Sequence, residues 1–397
     1  MQDRTKPINS LVTPSRRSRV TPFYAMEVLS AAAVEERAGR HIVHMEIGEP
    51  GAQTPLSIRQ AAARARESER MSYTPALGRP TLREKIARHY RDVYGIDVPA
   101  SRIAVTTGSS LGFLLAFLVL FDPGARVAVA SPGYPAYRTI LESQGIEVVP
   151  IETSAASRFV VNAAMIEAEH ERRPLDGVLL MSPANPTGTM MTPQTLAEVA
   201  RTCDRLGIRF ISDEIYHGLT YDAPARTALE WSDKVVVVNS FSKYFCMTGW
   251  RIGWLVLPEE LVRPVELLAQ SLAISVPTLS QIAAEAAFDA REELEVLKAG
   301  YARNRAMLLQ ELPGMGLGNF HPVDGAFYVY CDVGHLTNDS MEFCKRLLVE
   351  GGVAATPGVD FDREQGHRAM RICFAGSETD VREGLRRLGG WLSGAKR

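Results

Sequence analysis

Residues 234–257 read KVVVVNSFSKYFCMTGWRIGWLVL. The run Val235–Val238 has no polar alternation, which predicts a strand buried on both faces, as in a parallel sheet covered by helices. The second apolar run begins at Arg251 and follows the first too closely for a helical crossover, so the two are expected to lie antiparallel. Between them sits one lysine, Lys243, with serines before it. A lysine and an arginine beside buried strands are costly unless something pairs with them.

Working outward, five more short apolar runs precede this one: RIAVTTG (102–108), RVAVAS (126–131), EVVPIE (147–152), GVLLMSP (177–183) and IRFISDE (208–214). Most are separated by enough chain for a helix, with examples at 110–121, 135–144 and 193–206. The pattern predicts an α/β fold: a large domain with a mostly parallel seven-stranded sheet flanked by helices, plus a smaller α+β domain built from both chain ends. Residues 1–45 are expected to form an N-terminal arm and helix belonging to the small domain. Residues 46–290 would form the large domain, and residues 291–397 the C-terminal one. The first helix is expected to open near Thr21-Pro22, with the threonine as N-cap and the proline at the first helical position.

Composition narrows the classes. Of 397 residues, 46% are apolar and 23% charged, and 44 basic residues balance 46 acidic ones. Nothing there draws the chain to nucleic acid or a membrane. The cluster Arg16, Arg17 and Arg19 reads as a solvated arm. The opening MQDRTKPINSLVTPSRRSRV lacks the apolar core of a secretory signal. The longest apolar run, LGFLLAFLVLF (111–121), is too short to span a bilayer and is expected to be a buried helix. Five scattered cysteines form neither a disulfide framework nor a zinc pattern, and no metal site is expected. The expected setting is cytoplasmic.

Polar signatures fall at the ends of four predicted strands: TTGSS after the first, SPANPTG after the fourth, DEIYH after the fifth and SFSK after the sixth. Ligands gather at the carboxyl ends of strands in open parallel sheets, so one shared pocket is expected. Gly108, Ser109 and Ser110 lead into a helix whose N-terminus can hold a phosphate, or they form a plain cap. Ser240 and Ser242 offer hydroxyls, and Arg251 a planar guanidinium. Neither GxGxxG nor a Walker loop is present in these turns. Asp213 can hold a proton on a ring nitrogen or form an ordinary salt bridge. Asn185 and Tyr216 can hydrogen-bond a ring hydroxyl, though a turn-forming Asn-Pro and a half-buried tyrosine explain them too. A desolvated Lys243 can capture an aldehyde. Together these groups describe pyridoxal 5'-phosphate.

The sequence also resembles the class I aminotransferases, which have the fold-type-I architecture of pyridoxal-phosphate enzymes. SPANPTGT, ISDEIYHGLTY and NSFSKYFCMTGWRIGW match the central signatures of that family in order. YTPALGRPTLREKIARHY (73–90), VTTGSSLGF (105–113), SPGYPAY (131–137), GAFYVY (325–330) and MRICFA (370–375) match its outer ones.

The resemblance implies that Lys243 forms the Schiff base, Asp213 pairs with the pyridine nitrogen, and Asn185 and Tyr216 bind the ring oxygen. Ser109, Ser110, Ser240 and Arg251 would face the phosphate, and Tyr134 would stack on the ring. Arg371 would grip the substrate α-carboxylate, with the Gly48 backbone beside it. Tyr73 would enter the neighbouring subunit's site, making the functional unit a homodimer. The implied activity is two-stage transfer of an amino group from an amino acid to a 2-oxo acid, 2-oxoglutarate being the expected acceptor. Carbon–sulfur β-lyases, cyclopropane-forming synthases and decarboxylases share the scaffold and remain open alternatives, although the GWR after SFSK leans toward a transaminase. A non-catalytic ligand-sensing domain is the remote alternative.

Overall fold

The computed structural model describes residues 13–395; residues 1–12 of the expected arm lie outside the described residues. Helix α1 (Tyr24–Arg37) and the short strand β1 (Val43–His44) precede α2 (Leu56–Ser68) and α3 (Pro80–Tyr94). Strands and helices then alternate through β2 (Ile103–Thr106), α4 (Gly108–Leu120), β3 (Arg126–Ser131), α5 (Pro135–Ser143) and β4 (Glu147–Glu152). The alternation continues with α6 (Ala163–Arg172), β5 (Gly177–Met181), α7 (Pro193–Leu206) and β6 (Arg209–Asp213). Strands β7 (Val236–Ser240) and β8 (Gly253–Val256) follow, and the turn between them carries Lys243.

These strands form one sheet of seven in the order β2-β8-β7-β6-β5-β3-β4. Strand β8 runs antiparallel to both its neighbours, with Ser240 opposite Gly253, while the other pairs are parallel. The close spacing of the last two runs therefore had the expected consequence. The missing polar alternation has a direct cause: successive side chains enter different cores. Val237, Val178 and Leu180 pack on one face with Leu82, Ile86 and Val199 from α3 and α7. Val236, Val238 and Leu179 pack on the other face with Phe113, Phe117 and Leu141 from α4 and α5. Both faces are dry, so both parities are apolar. The apolar run at 111–121 is a buried helix of this kind. No helix among the described residues is long and apolar enough to cross a membrane.

Helices α8 (Glu259–Leu272), α9 (Thr278–Ala287) and the long α10 (Arg291–Glu311) lead away from the sheet. The chain then gives β9 (Tyr328–Asp332), α11 (Ser340–Arg346), β10 (Val353–Ala354), β11 (Thr356–Pro357), β12 (Ala369–Cys373) and α12 (Glu378–Ala395). A second sheet runs β11-β12-β9, and β1 pairs in parallel with β10. Val43 and Met45 share a core with residues between Tyr301 and Leu392, so both chain ends contribute, as expected of the smaller α+β part.

One expectation is corrected. Helix α1 starts at Tyr24 rather than at Thr21-Pro22, and Phe23 in the N-cap position makes no side-chain cap bond. The capping group comes from the far end of the chain. The Asp360 carboxylate accepts from Tyr24 N at 3.0 Å and from Ala25 N at 3.2 Å. Two orphan N–H groups at a positive helix end are satisfied by one carboxylate, so a local hydroxyl is not needed.

Candidate active site

The loop after β7 buries Ser242 and leaves Lys243 partly covered. The lysine Nζ donates to the Gly48 carbonyl at 2.6 Å. Burial lowers its pKa from 10.5 to about 8, so about a tenth of it is neutral amine at pH 7. Gly48 is a glycine for a steric reason: a Cβ there would overlap the Tyr328 hydroxyl.

Asp213, the last residue of β6, is 1% exposed. Its Oδ1 accepts from Ile215 N at 3.0 Å, and its Oδ2 accepts a short hydrogen bond from the Tyr137 hydroxyl. Burial nevertheless raises the carboxyl to about 7, with Tyr137, Ile215 and Lys243 pulling the other way. No cation forms an ion pair with it among the described residues. A protonated ring nitrogen would supply one.

Two guanidiniums reach the same cavity, and neither forms an ion pair among the described residues. Arg251 donates from Nη1 to Thr248 O at 3.0 Å and lies against Gly108, where a Cβ would crowd Nη2. Gly108 has a φ of +70°, which turns the chain into α4 and brings Ser109 and Ser110 beside that guanidinium. First-turn N–H groups, two hydroxyls and an arginine without an ion pair are groups that could hold a phosphate.

Arg371, on β12, is 1% exposed and sits between the rings of Tyr328 (4.5 Å) and Phe361 (4.7 Å). It donates to Asn185 Oδ1 at 2.9 Å, to Thr356 Oγ1 at 3.1 Å and, closely, to the Glu46 carbonyl. Its Nε has no partner. All its partners are neutral oxygens, so a buried positive charge awaits an anion.

One cavity of about 240 Å³ collects Gly48, Ser109, Ser110, Tyr134, Asn185, Asp213, Tyr216, Lys243, Arg251 and Arg371 from the expected residues. Two expected residues stand apart. Ser240 does not line the cavity; its Oγ lies 2.9 Å from Ser242 Oγ and 3.1 Å from Ile252 O, and it is Ser242 that faces inward. Tyr73 is 79% exposed and lies outside this chain's own cavity.

Four contributors were missed by sequence reasoning: Tyr137 on Asp213, Tyr328 against Tyr216 (hydroxyls 2.6 Å apart) and Arg371, Phe361 under Arg371, and Met26 in the wall beside Phe23. Tyr137 and Tyr328 lie inside SPGYPAY and GAFYVY, so those motifs carried the only available signal. The donor set fits pyridoxal phosphate: a partly neutral amine, a buried acid lacking a cation, and separate places for a phosphate and a carboxylate.

Phe23 and Met26 reach the cavity because Asp360 holds the start of α1. Asp360→Ala should release about 0.5–2 kcal/mol of capping and raise the amino-acid KM more than it lowers kcat, with partial rescue in Asp360→Asn. Steady-state kinetics on one small and one bulky donor would check this. An unchanged KM for both would remove α1 from substrate binding.

Comparison with known proteins accords with this geometry. The family model for aminotransferase class I and II matches residues 40–388. A valine–pyruvate aminotransferase of Mycobacterium tuberculosis is 49% identical over 380 residues, covering 95% of this chain and 97% of its own. Among solved structures, an aminotransferase from Mycobacterium tuberculosis superposes with a TM-score of 0.94 at 48% identity, covering 96% of this chain and 100% of that one. An aspartate aminotransferase from Thermus thermophilus, solved with maleate, gives 0.90 at 30% identity over the same shares.

Proposed function

The chain belongs to the class I and II aminotransferases, pyridoxal-phosphate enzymes that exchange an amino group between an amino acid and a 2-oxo acid, and from that premise we propose a neutral aliphatic donor and a small monocarboxylic acceptor. The observation that supports this choice is the cation count of the cavity. Its two guanidiniums, Arg251 and Arg371, are needed for the cofactor phosphate and the substrate α-carboxylate, and among the described residues no third arginine or lysine besides Lys243 lines it. Phe23, Met26 and Ile47 also line the cavity, which suits an apolar side chain. Pyruvate as acceptor also accords with the name of the 49%-identical relative. The distal carboxylate of the 2-oxoglutarate expected from sequence finds no further guanidinium in this cavity among the described residues.

Bound pyridoxal phosphate supplies an aldehyde for a lysine to capture and a protonated ring that takes up an electron pair. The chain's own residues do the rest. Arg371, with Asn185 and the Gly48 backbone, holds the α-carboxylate and so fixes the direction of the Cα–H bond. Lys243, released as a partly neutral amine, takes the Cα proton and later returns it. Asp213 keeps the ring nitrogen protonated, with Tyr137 holding the carboxylate in place. Asn185 and Tyr216 orient the ring oxygen, and Tyr134 covers the ring face. Ser109, Ser110 and Arg251 hold the phosphate, with Ser240 fixing Ser242 from behind.

Assaying valine with pyruvate and with 2-oxoglutarate at equal concentrations tests the acceptor. A higher kcat/KM for pyruvate is expected; a tenfold preference for 2-oxoglutarate would overturn the assignment. The five cysteines are buried and free, which supports the reduced cytoplasmic setting.

Tyr73, exposed on this chain, is assigned to the phosphate of a second copy, making the active unit a homodimer. Mixing inactive Tyr73→Ala/Lys243→Ala protein with wild type tests the sharing: hybrid dimers should carry one dead site, without Lys243, and one site that keeps Lys243 and whose activity reports the loss of Tyr73 alone. A monomer on light scattering would dismiss the arrangement.

A further inference from the structure

A second cavity among the described residues is larger than the one at Lys243. A space of about 330 Å³ opens between α3, the start of α10 and the loop at 217–225, within the size range of small-molecule sites. Its floor is aromatic. The His89 ring is surrounded by Phe288 at 5.4 Å, Tyr94 at 6.0 Å and Phe245 and Trp254 at 6.4 Å. Burial drives His89 down to about 4, so the ring is neutral, and neither nitrogen has a hydrogen-bond partner among the described residues. It offers one donor and one acceptor to whatever enters.

The charges at the mouth divide into two groups. Lys85 is taken by Asp289 at 2.7 Å, and Glu295 accepts from Tyr244 at 2.7 Å and lies 3.8 Å from Lys298. Arg88, Asp92 and Arg291 line the same cavity and form no hydrogen bond or ion pair among the described residues. Arg88 and Asp92 are four residues apart on α3 and share one face, while Arg291 stands opposite at the start of α10. Two free guanidiniums and one free carboxylate above an aromatic floor have the charge pattern of a carboxylate, an ammonium and a ring.

We propose that this cavity is a second ligand site that binds a free aromatic amino acid, its ring on the floor around His89, its carboxylate on Arg88 and Arg291, and its ammonium on Asp92. The site bears on catalysis from behind. Tyr244 and Phe245, which line it, directly follow Lys243, and Gly218 packs against the Tyr244 ring two residues after Tyr216. An occupant therefore presses on both segments that carry active-site side chains, and transfer from the ordinary donor changes when the site fills.

The test uses the pyridoxal-phosphate-loaded enzyme and α-methyl-L-phenylalanine, which has no Cα–H and cannot complete transfer. Calorimetry should show binding with quenching of tryptophan fluorescence, Trp254 being in the wall. Arg88→Ala/Arg291→Ala should weaken this event at least tenfold while leaving valine–pyruvate transfer unchanged without the probe. Asp92→Asn should weaken α-methyl-L-phenylalanine but not 3-phenylpropanoate, which lacks the ammonium. The proposal falls if the double variant binds as well as wild type, if saturating valine displaces all of the bound probe and so places it in the Lys243 cavity, or if no binding occurs at millimolar probe. Unprobed transfer reports on the catalytic reading separately, so failure of one is not failure of the other.

Discussion

Lys243→Ala should lower amino transfer by at least about four orders of magnitude, because the proposed mechanism asks one side chain to supply both the covalent anchor and the proton shuttle. The protein should still fold. Lys243 is only partly buried and contributes one side-chain hydrogen bond, to the neutral Gly48 carbonyl, and the Asp213 carboxyl it faces keeps its bonds from Tyr137 and Ile215. Removing it also relieves a desolvation penalty, since burial is what lowers its amine to about 8. Pyridoxal phosphate should still bind through the contacts offered by Ser109, Ser110 and Arg251, but without a covalent link. Mass spectrometry after borohydride treatment decides the point: wild type should retain the cofactor on the peptide containing Lys243, and the variant should retain none. A covalent adduct in the variant, or transfer above about 1% of wild type, would place the nucleophile elsewhere.

The difference between what the sequence disclosed and what it hid follows from how far apart interacting residues lie along the chain. The strands were legible because Val236, Val237 and Val238 alternate between two apolar cores, which leaves an uninterrupted run in the sequence. The site was legible where one strand end carries one polar group: Asp213 closes β6, Asn185 follows β5 and Lys243 follows β7. Parallel strands bring those ends together without any further information.

What stayed hidden are contacts whose two halves have no shared local pattern. Asp360 caps α1 across 336 positions, so a rule that looks for a hydroxyl just before the helix selects Thr21 instead. Tyr137 reads as one more aromatic residue on α5 until its hydroxyl is seen on Asp213. Ser240 and Ser242 are equivalent on paper. The antiparallel return of β8 separates them, because the Ile252 carbonyl lies beside Ser240 and only Ser242 is left to face the cavity. Arg371 could be carried over from the family motif, but its sandwich between Tyr328 and Phe361 depends on β9, β12 and the segment after β11 meeting in space.

Asp213→Asn should separate function from stability, and its two effects have opposite signs. Amino transfer should fall by about 10²–10⁴-fold, since a neutral amide cannot stabilise a protonated ring nitrogen, although the amide still fits beside Tyr137. Cofactor-free protein should become more stable. The Asp213 carboxyl is raised from 3.8 to about 7 in the fold by burial, so its favourable contribution is complete below the unfolded value and is lost as pH rises through about 7. Above that, a buried carboxylate without a cation penalises the fold by up to about 4 kcal/mol. Asparagine removes the penalty, so the gain in Tm should be larger at pH 8 than at pH 5. With pyridoxal phosphate bound, wild-type Asp213 has a positive partner and the advantage of the variant should shrink or reverse. Scanning calorimetry of both proteins, with and without cofactor at the two pH values, measures this directly. Equal Tm values for the cofactor-free pair at pH 8 would mean that Tyr137 and Ile215 already compensate the buried charge. In that case the loss of activity alone would have to carry the case for Asp213 as the ring-nitrogen partner.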